Sequence, residues 1–92
     1  MDENAPSLDV YEHTVQMLEI TASIAWSKLG LTPDLNSGKI ETNLSQAKLA
    51  IDIAAFLAGM VEDRLDSEDR RRVQGLVRDL RINYVQKSKE GL

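Results

Sequence analysis

The stretch Leu49–Val61 reads LAIDIAAFLAGMV, thirteen residues with a single charge, Asp52. A helix on the surface of a small protein needs only one apolar stripe. This one is apolar or small around most of its circumference. It is therefore either the central rod of a bundle or a surface that another chain covers. Size bears on the choice. Ninety-two residues make one domain. With 1–8 and 87–92 read as flexible tails, residues 9–86 remain as a single helical domain. A chain that small buries roughly 60% of its unfolded surface and is marginal alone. Burial against a partner is thus an available source of stability.

Composition removes several classes of function. There are no cysteines, so disulfides and cysteine-based zinc or redox sites are excluded. The Met1 start shows neither a basic nor an apolar leader region. The longest uninterrupted apolar run, Ile53–Val61 with Gly59 counted, is far below the roughly 18 residues of a membrane span. A cytoplasmic location without a membrane span is expected. The net charge of −4 hides an asymmetry. Residues 1–45 hold seven acids and two bases, whereas residues 64–89 hold eight bases and four acids. The two halves can attract each other, within one chain or between copies. The overall acidity argues against a dedicated nucleic-acid binder.

Hydrophobic periodicity predicts three helices and no strands, an all-α fold. The first spans Asp9–Leu29, capped by Asp9 and closed by Gly30. At about 100° per residue, Glu12, Gln16, Glu19 and Ser23 share a narrow polar face. Val10, Tyr11, Val15, Met17, Leu18, Ile20, Ala22, Ile24, Ala25 and Leu29 fan over the rest, an arc wide enough for two packing neighbours. Residues 30–42 form the one substantial loop, either a binding element or a crossover. The second helix spans Leu44–Arg64, with Asn43 and Gln46 as a capping-box-like start. Leu49, Ile53, Phe56, Leu57 and Met60 fall on one side, which the chain's own helices are expected to cover. Ala47, Ile51, Ala54, Ala55 and Ala58 fall on another, expected to be left over. The third helix spans Ser67–Gln86, with Val73, Leu76, Val77, Leu80 and Tyr84 as its core stripe. The expected architecture is a small three-helix bundle, or a hairpin plus a packing helix, completed by self-association or a partner.

Residues that carry chemistry are few. His13 is the only histidine and has no second nitrogen or sulfur ligand at metal spacing. No catalytic triad order, glycine-rich phosphate loop or nucleophile elbow is present. Asp52 reads as a general base or ligand anchor, or as an edge carboxylate paired with Lys48 four residues earlier. Arg70, Arg71 and Arg72, joined by Arg78 and Arg81, read as a phosphate-binding patch or as a solvated, acid-pairing face. Glu68, Asp69 and Asp79 among them favour the second. Trp26 flanks the polar side of the first helix. It is either an interface hot spot or a ring that the 30–42 loop covers.

Leu29-Gly30, Pro33, Gly38, Leu44, Ala47, Ile51-Asp52, Leu57, Leu65, Asp79-Leu80-Arg81 and Tyr84-Val85 resemble the bacterial family catalogued as domain of unknown function 1844. The resemblance covers residues 11–86. It implies a short, cytoplasmic, helical protein with no assigned activity, and so carries over no catalytic or binding residue. Where the family pattern is acidic or polar, this chain has Ala55, Ala58 and Gly59. Its last helix opens with Asp66-x-x-Asp69 in place of Thr-x-x-Glu. The second helix is therefore more apolar than the family pattern, which points to a protein contact.

Taken together, the residues predict a non-catalytic interaction or structural module without a cofactor or metal. Its partner is itself or another protein, and its candidate contacts are Trp26, Ala54, Ala55, Ala58, Arg78 and Ile82. The alternative is an RNA- or ribosome-associated accessory protein binding through Arg70, Arg71, Arg72, Arg78 and Arg81.

Overall fold

A computed structural model describes residues 3–91. Residues 1, 2 and 92 of the expected tails lie outside the described residues. Helix α1 spans Val10–Lys28, α2 spans Leu44–Val61 and α3 spans Ser67–Glu90. The expected all-α fold is present. The last turn expected of the second helix, Glu62–Arg64, is a 3-10 turn that redirects the chain toward α3. Among the described residues the only extended pairing is a single bridge, Leu29 to Thr42.

Each helix starts where a short polar side chain can accept from exposed amides. Asp9 accepts from the Tyr11 amide at 2.8 Å, Asn43 from Gln46 at 3.2 Å, and Asp66 from Asp69 at 2.8 Å. Helix α1 ends in a Schellman arrangement. The Gly30 amide donates to Ser27 O, and the Leu31 amide to Trp26 O. Gly30 takes the left-handed conformation this needs, with φ +79°. A Cβ there would also collide with Thr42 Oγ1. Helix α3 runs beyond Gln86, so residues 87–90 of the expected tail are helical. Its apolar stripe ends at Tyr84, but good helix formers continue. Ser88 bonds back to Tyr84 O at 2.8 Å, and Lys87 pairs with Glu90 at 3.3 Å.

Helices α1 and α2 form an antiparallel hairpin. Ala22, Ala25 and Leu29 share one core cluster with Ala47, Ala50 and Ile51, and Leu18 shares a second with Ala58. Helix α3 joins both through the stripe expected of it: Val73, Val77 and Leu80 are buried, with Leu76 and Tyr84 packed against them.

The packing of α2 is the reverse of the sequence expectation. Of its alanine side, Ala47, Ile51, Ala54 and Ala58 are buried inside the chain and Ala55 is half-buried, whereas on the bulky side Leu49, Ile53, Phe56 and Met60 are exposed and only Leu57 packs against the core. The physical reason lies in the hairpin seam. Interaxial distance depends on the side chains at the contact, and facing alanines let α1 and α2 approach more closely than leucines would. The bulky residues are turned out as a result. The same happens on α1, where Leu18, Ala22 and Ala25 are buried but Met17, Ile20 and Ile24 are not.

Candidate protein interface

Helix α3 lies against one side of the hairpin. It packs on α2 through Leu80, which shares a core cluster with Ile51, and through Val73 and Val77, which share a second with Ala58. Open grooves run between the two helices beside Arg78, Arg81 and Tyr84. Its contact to α1 includes Arg72 Nη1 to Glu19 Oε1 at 3.0 Å. On a helix turning about 100° per residue, Leu49, Ile53, Phe56 and Met60 point to the other side of α2. Met17, Ile20 and Ile24 point to the same side of α1. The hairpin thus has one face covered by α3 and one face bare. The seven large side chains on the bare face are 38–68% exposed.

Spacing gives this face its character. Residues 49, 53, 56 and 60 advance by four, three and four; residues 17, 20 and 24 advance by three and four. That alternation is the heptad seam along which one helix packs against another. No charged residue lies on the α2 seam between Leu49 and Met60. Asp52 sits at its rim, turned back to Lys48, whose Nζ lies 2.7 Å from Asp52 Oδ2. This is the edge-carboxylate reading of Asp52. The bond to Asp52 holds the Lys48 ammonium pKa above its ordinary value.

The six residues expected to form the interface separate into three groups. Ala54 is fully buried in the chain's own core, so it cannot meet a partner. Trp26 is partly buried against the α1–α2–α3 core cluster. It also borders a hollow with Thr32, Pro33 and Leu35, so its neighbours include the start of the loop. Ala55, Ala58, Arg78 and Ile82 are brought together. With Gly59 and Val77 they line an open groove of about 400 Å³ between α2 and α3. The bare α1–α2 face was not assigned as an interface from sequence. Its signal, the four–three–four spacing, is legible there but reads equally well as core.

The arginines do not form one free patch. Arg70 folds into the corner before α3, where Nε donates to Glu62 O at 2.9 Å and Nη2 to Leu65 O at 3.0 Å. Arg72 pairs with Glu19 and, at 3.9 Å, with Asp69. Arg78 pairs with Asp79 at 3.5 Å. Arg71 and Arg81 are exposed. Among the described residues no group of three His, Asp or Glu side chains is placed to hold a metal ion, and His13 is exposed on α1.

The loop after α1 is tied at its base. Asn43 donates to Lys28 O at 2.7 Å beside the Leu29–Thr42 bridge. Asp34 organises its tip, accepting from the Asn36 and Ser37 amides at 2.8 and 2.9 Å. The Ser37 and Asn36 amides, with a further pull from Lys28, hold the Asp34 carboxyl below the ordinary carboxylate range.

By length and composition, Leu44–Arg64 is apolar enough to cross a membrane, with mean hydropathy 1.5. About a third of that stretch is buried inside the fold, whereas its bulky residues Leu49, Ile53, Phe56 and Met60 are exposed.

The chain matches no curated protein and no solved structure. The sequence profile of the family described as "Domain of unknown function (DUF1844)" matches residues 7–86, nearly the whole helical fold. The protein belongs to that family.

Proposed function

We propose that this protein is a non-catalytic interaction module of the cytoplasm, acting through the bare face of its α1–α2 hairpin. One observation carries the reading: two antiparallel helices each present a heptad-spaced row of large apolar side chains, and α3 leaves both rows uncovered. Single exposed hydrophobic residues are ordinary on protein surfaces, whereas a contiguous apolar face marks an interaction site. The α2–α3 groove at Ala55, Ala58, Arg78 and Ile82 is a smaller adjoining surface. Contact with RNA draws less support, because Arg70, Arg72 and Arg78 are already engaged within the chain.

The test is a photo-reactive phenylalanine analogue placed at Phe56 in the full chain and activated in cells. A discrete covalent adduct with a protein is expected from Phe56 and not from the same analogue at Arg71. Absence of any adduct from Phe56 overturns the reading.

A further inference from the structure

We infer that the occupant of the bare face is a second copy of this chain, joined face to face so that the two α1–α2 hairpins make a four-helix layer. The inference rests on the interaction reading above and adds the identity of the partner. Area supports it first. Seven side chains, 38–68% exposed and contributing roughly 100 Å² each, present on the order of 700 Å² per chain, so two copies would bury a total within the ~1,200–2,000 Å² of a stable interface. The same area exceeds the ~300–600 Å² of the largest apolar patch on a typical monomer.

The rows also specify what kind of surface fits them. A heptad row is complementary to another helix carrying a heptad row, and this chain supplies two of them side by side. A two-fold axis makes such a face its own complement, because each contact then occurs twice. Stacking two antiparallel hairpins this way yields the packing of a four-helix bundle. Each α3 remains outside, on the far side of its own hairpin. Along α2 the row from Leu49 to Met60 spans about 17 Å, three turns, enough for several layers of interdigitating side chains.

Electrostatics permits the pairing although each chain carries −4. No acid stands within the α2 row, and the rim acid Asp52 is neutralised locally by Lys48. A lipid surface fits less well. Interfacial helices carry lysine and arginine along the polar border of their apolar face, and Lys48 is the only base within α2.

Sedimentation equilibrium of the full chain from about 1 μM to about 1 mM tests the inference. The expected mass is twice the 10.3 kDa of one chain. Phe56→Glu places a charge at the centre of the row and is expected to weaken association at least about thirtyfold while the helical circular dichroism persists. Val85→Glu, on the exposed side of α3, is expected to leave the dimer intact. A chain that stays at 10.3 kDa throughout, or a dimer indifferent to Phe56→Glu, overturns the inference. Should Phe56→Glu fail to fold, the photo-reactive analogue at Phe56 in purified protein decides: a covalent dimer supports the pairing, and none overturns it. A monomer whose Phe56 analogue captures a different protein in cells removes the second copy but leaves the interaction reading standing. No adduct in either setting removes both.

Discussion

Two residues hold the chain's corners, and their side chains define what substitution will do. Gly30 combines a left-handed backbone with a close approach to Thr42 Oγ1. Alanine there meets the backbone penalty of about 1–2 kcal/mol as well as a steric clash. Gly30→Ala should therefore lower unfolding free energy by roughly 2 kcal/mol or more, read by urea denaturation. Arg70 looks like part of a basic run in the sequence, but its guanidinium bridges Glu62 O and Leu65 O. Arg70→Ala should cost about 1–3 kcal/mol through the carbonyls it abandons, whereas Arg71→Ala, at an exposed position, should change stability by no more than about 0.5 kcal/mol. Linear sequence does not separate these two arginines; only the turn at Glu62–Arg64 does. Asp34 supplies a pH signature. Its folded pKa is depressed, so its contribution is complete above the ordinary carboxylate value and is lost as pH falls through the lower, folded one. The Asn36 and Ser37 amides should therefore exchange relatively faster in that acid window than neighbouring helical amides. An exchange profile that stays flat there would contradict the assignment. Lys48 behaves oppositely. Its raised pKa makes the Asp52 pair complete below the ordinary lysine value and lost as pH rises through the raised one.

At the scale of elements, capping chemistry and periodicity made the helices readable. Asp9 and Asn43 cap as expected, Asp66 rather than the neighbouring Ser67 caps α3, and Gly30 ends α1 as its lack of a Cβ allows. Which side of α2 faces inward was not readable, because periodicity establishes that two apolar sides exist and not which neighbour each will meet. The alanine seam decides it through closeness of approach. Ala54 is the sharpest probe, being 0% exposed. Ala54→Leu should cost about 1–3 kcal/mol by overpacking the seam, in a thermal or chemical denaturation measurement made at a fixed chain concentration. If α2 were instead packed through its bulky side, the same change would add apolar contact without penalty. The end of α3 is not legible for a different reason: its last turn rests on local bonds at Ser88 and Lys87, which leave no apolar period in the sequence.

For the whole molecule, the balance of covered and uncovered surface is the dominant property. The helices form a layer of two backed by a layer of one, elongated to 55 × 30 × 18 Å. A second hairpin on the bare face would turn this one-sided arrangement into a core closed on both sides. If that pairing forms, stability becomes tied to concentration by mass action. The thermal midpoint should then rise with chain concentration in wild type and become independent of it in Phe56→Glu.

The pinch at the base of the α1–α2 loop has an engineering consequence. Because Leu29, Thr42 and the Asn43–Lys28 bond fix the spacing of the two helices, the intervening excursion does not set it. Lengthening a closed excursion costs only about 0.6 kcal/mol per doubling. Gly38, with open space around it, is thus a natural insertion point for a reporter peptide that follows this protein without touching either apolar row.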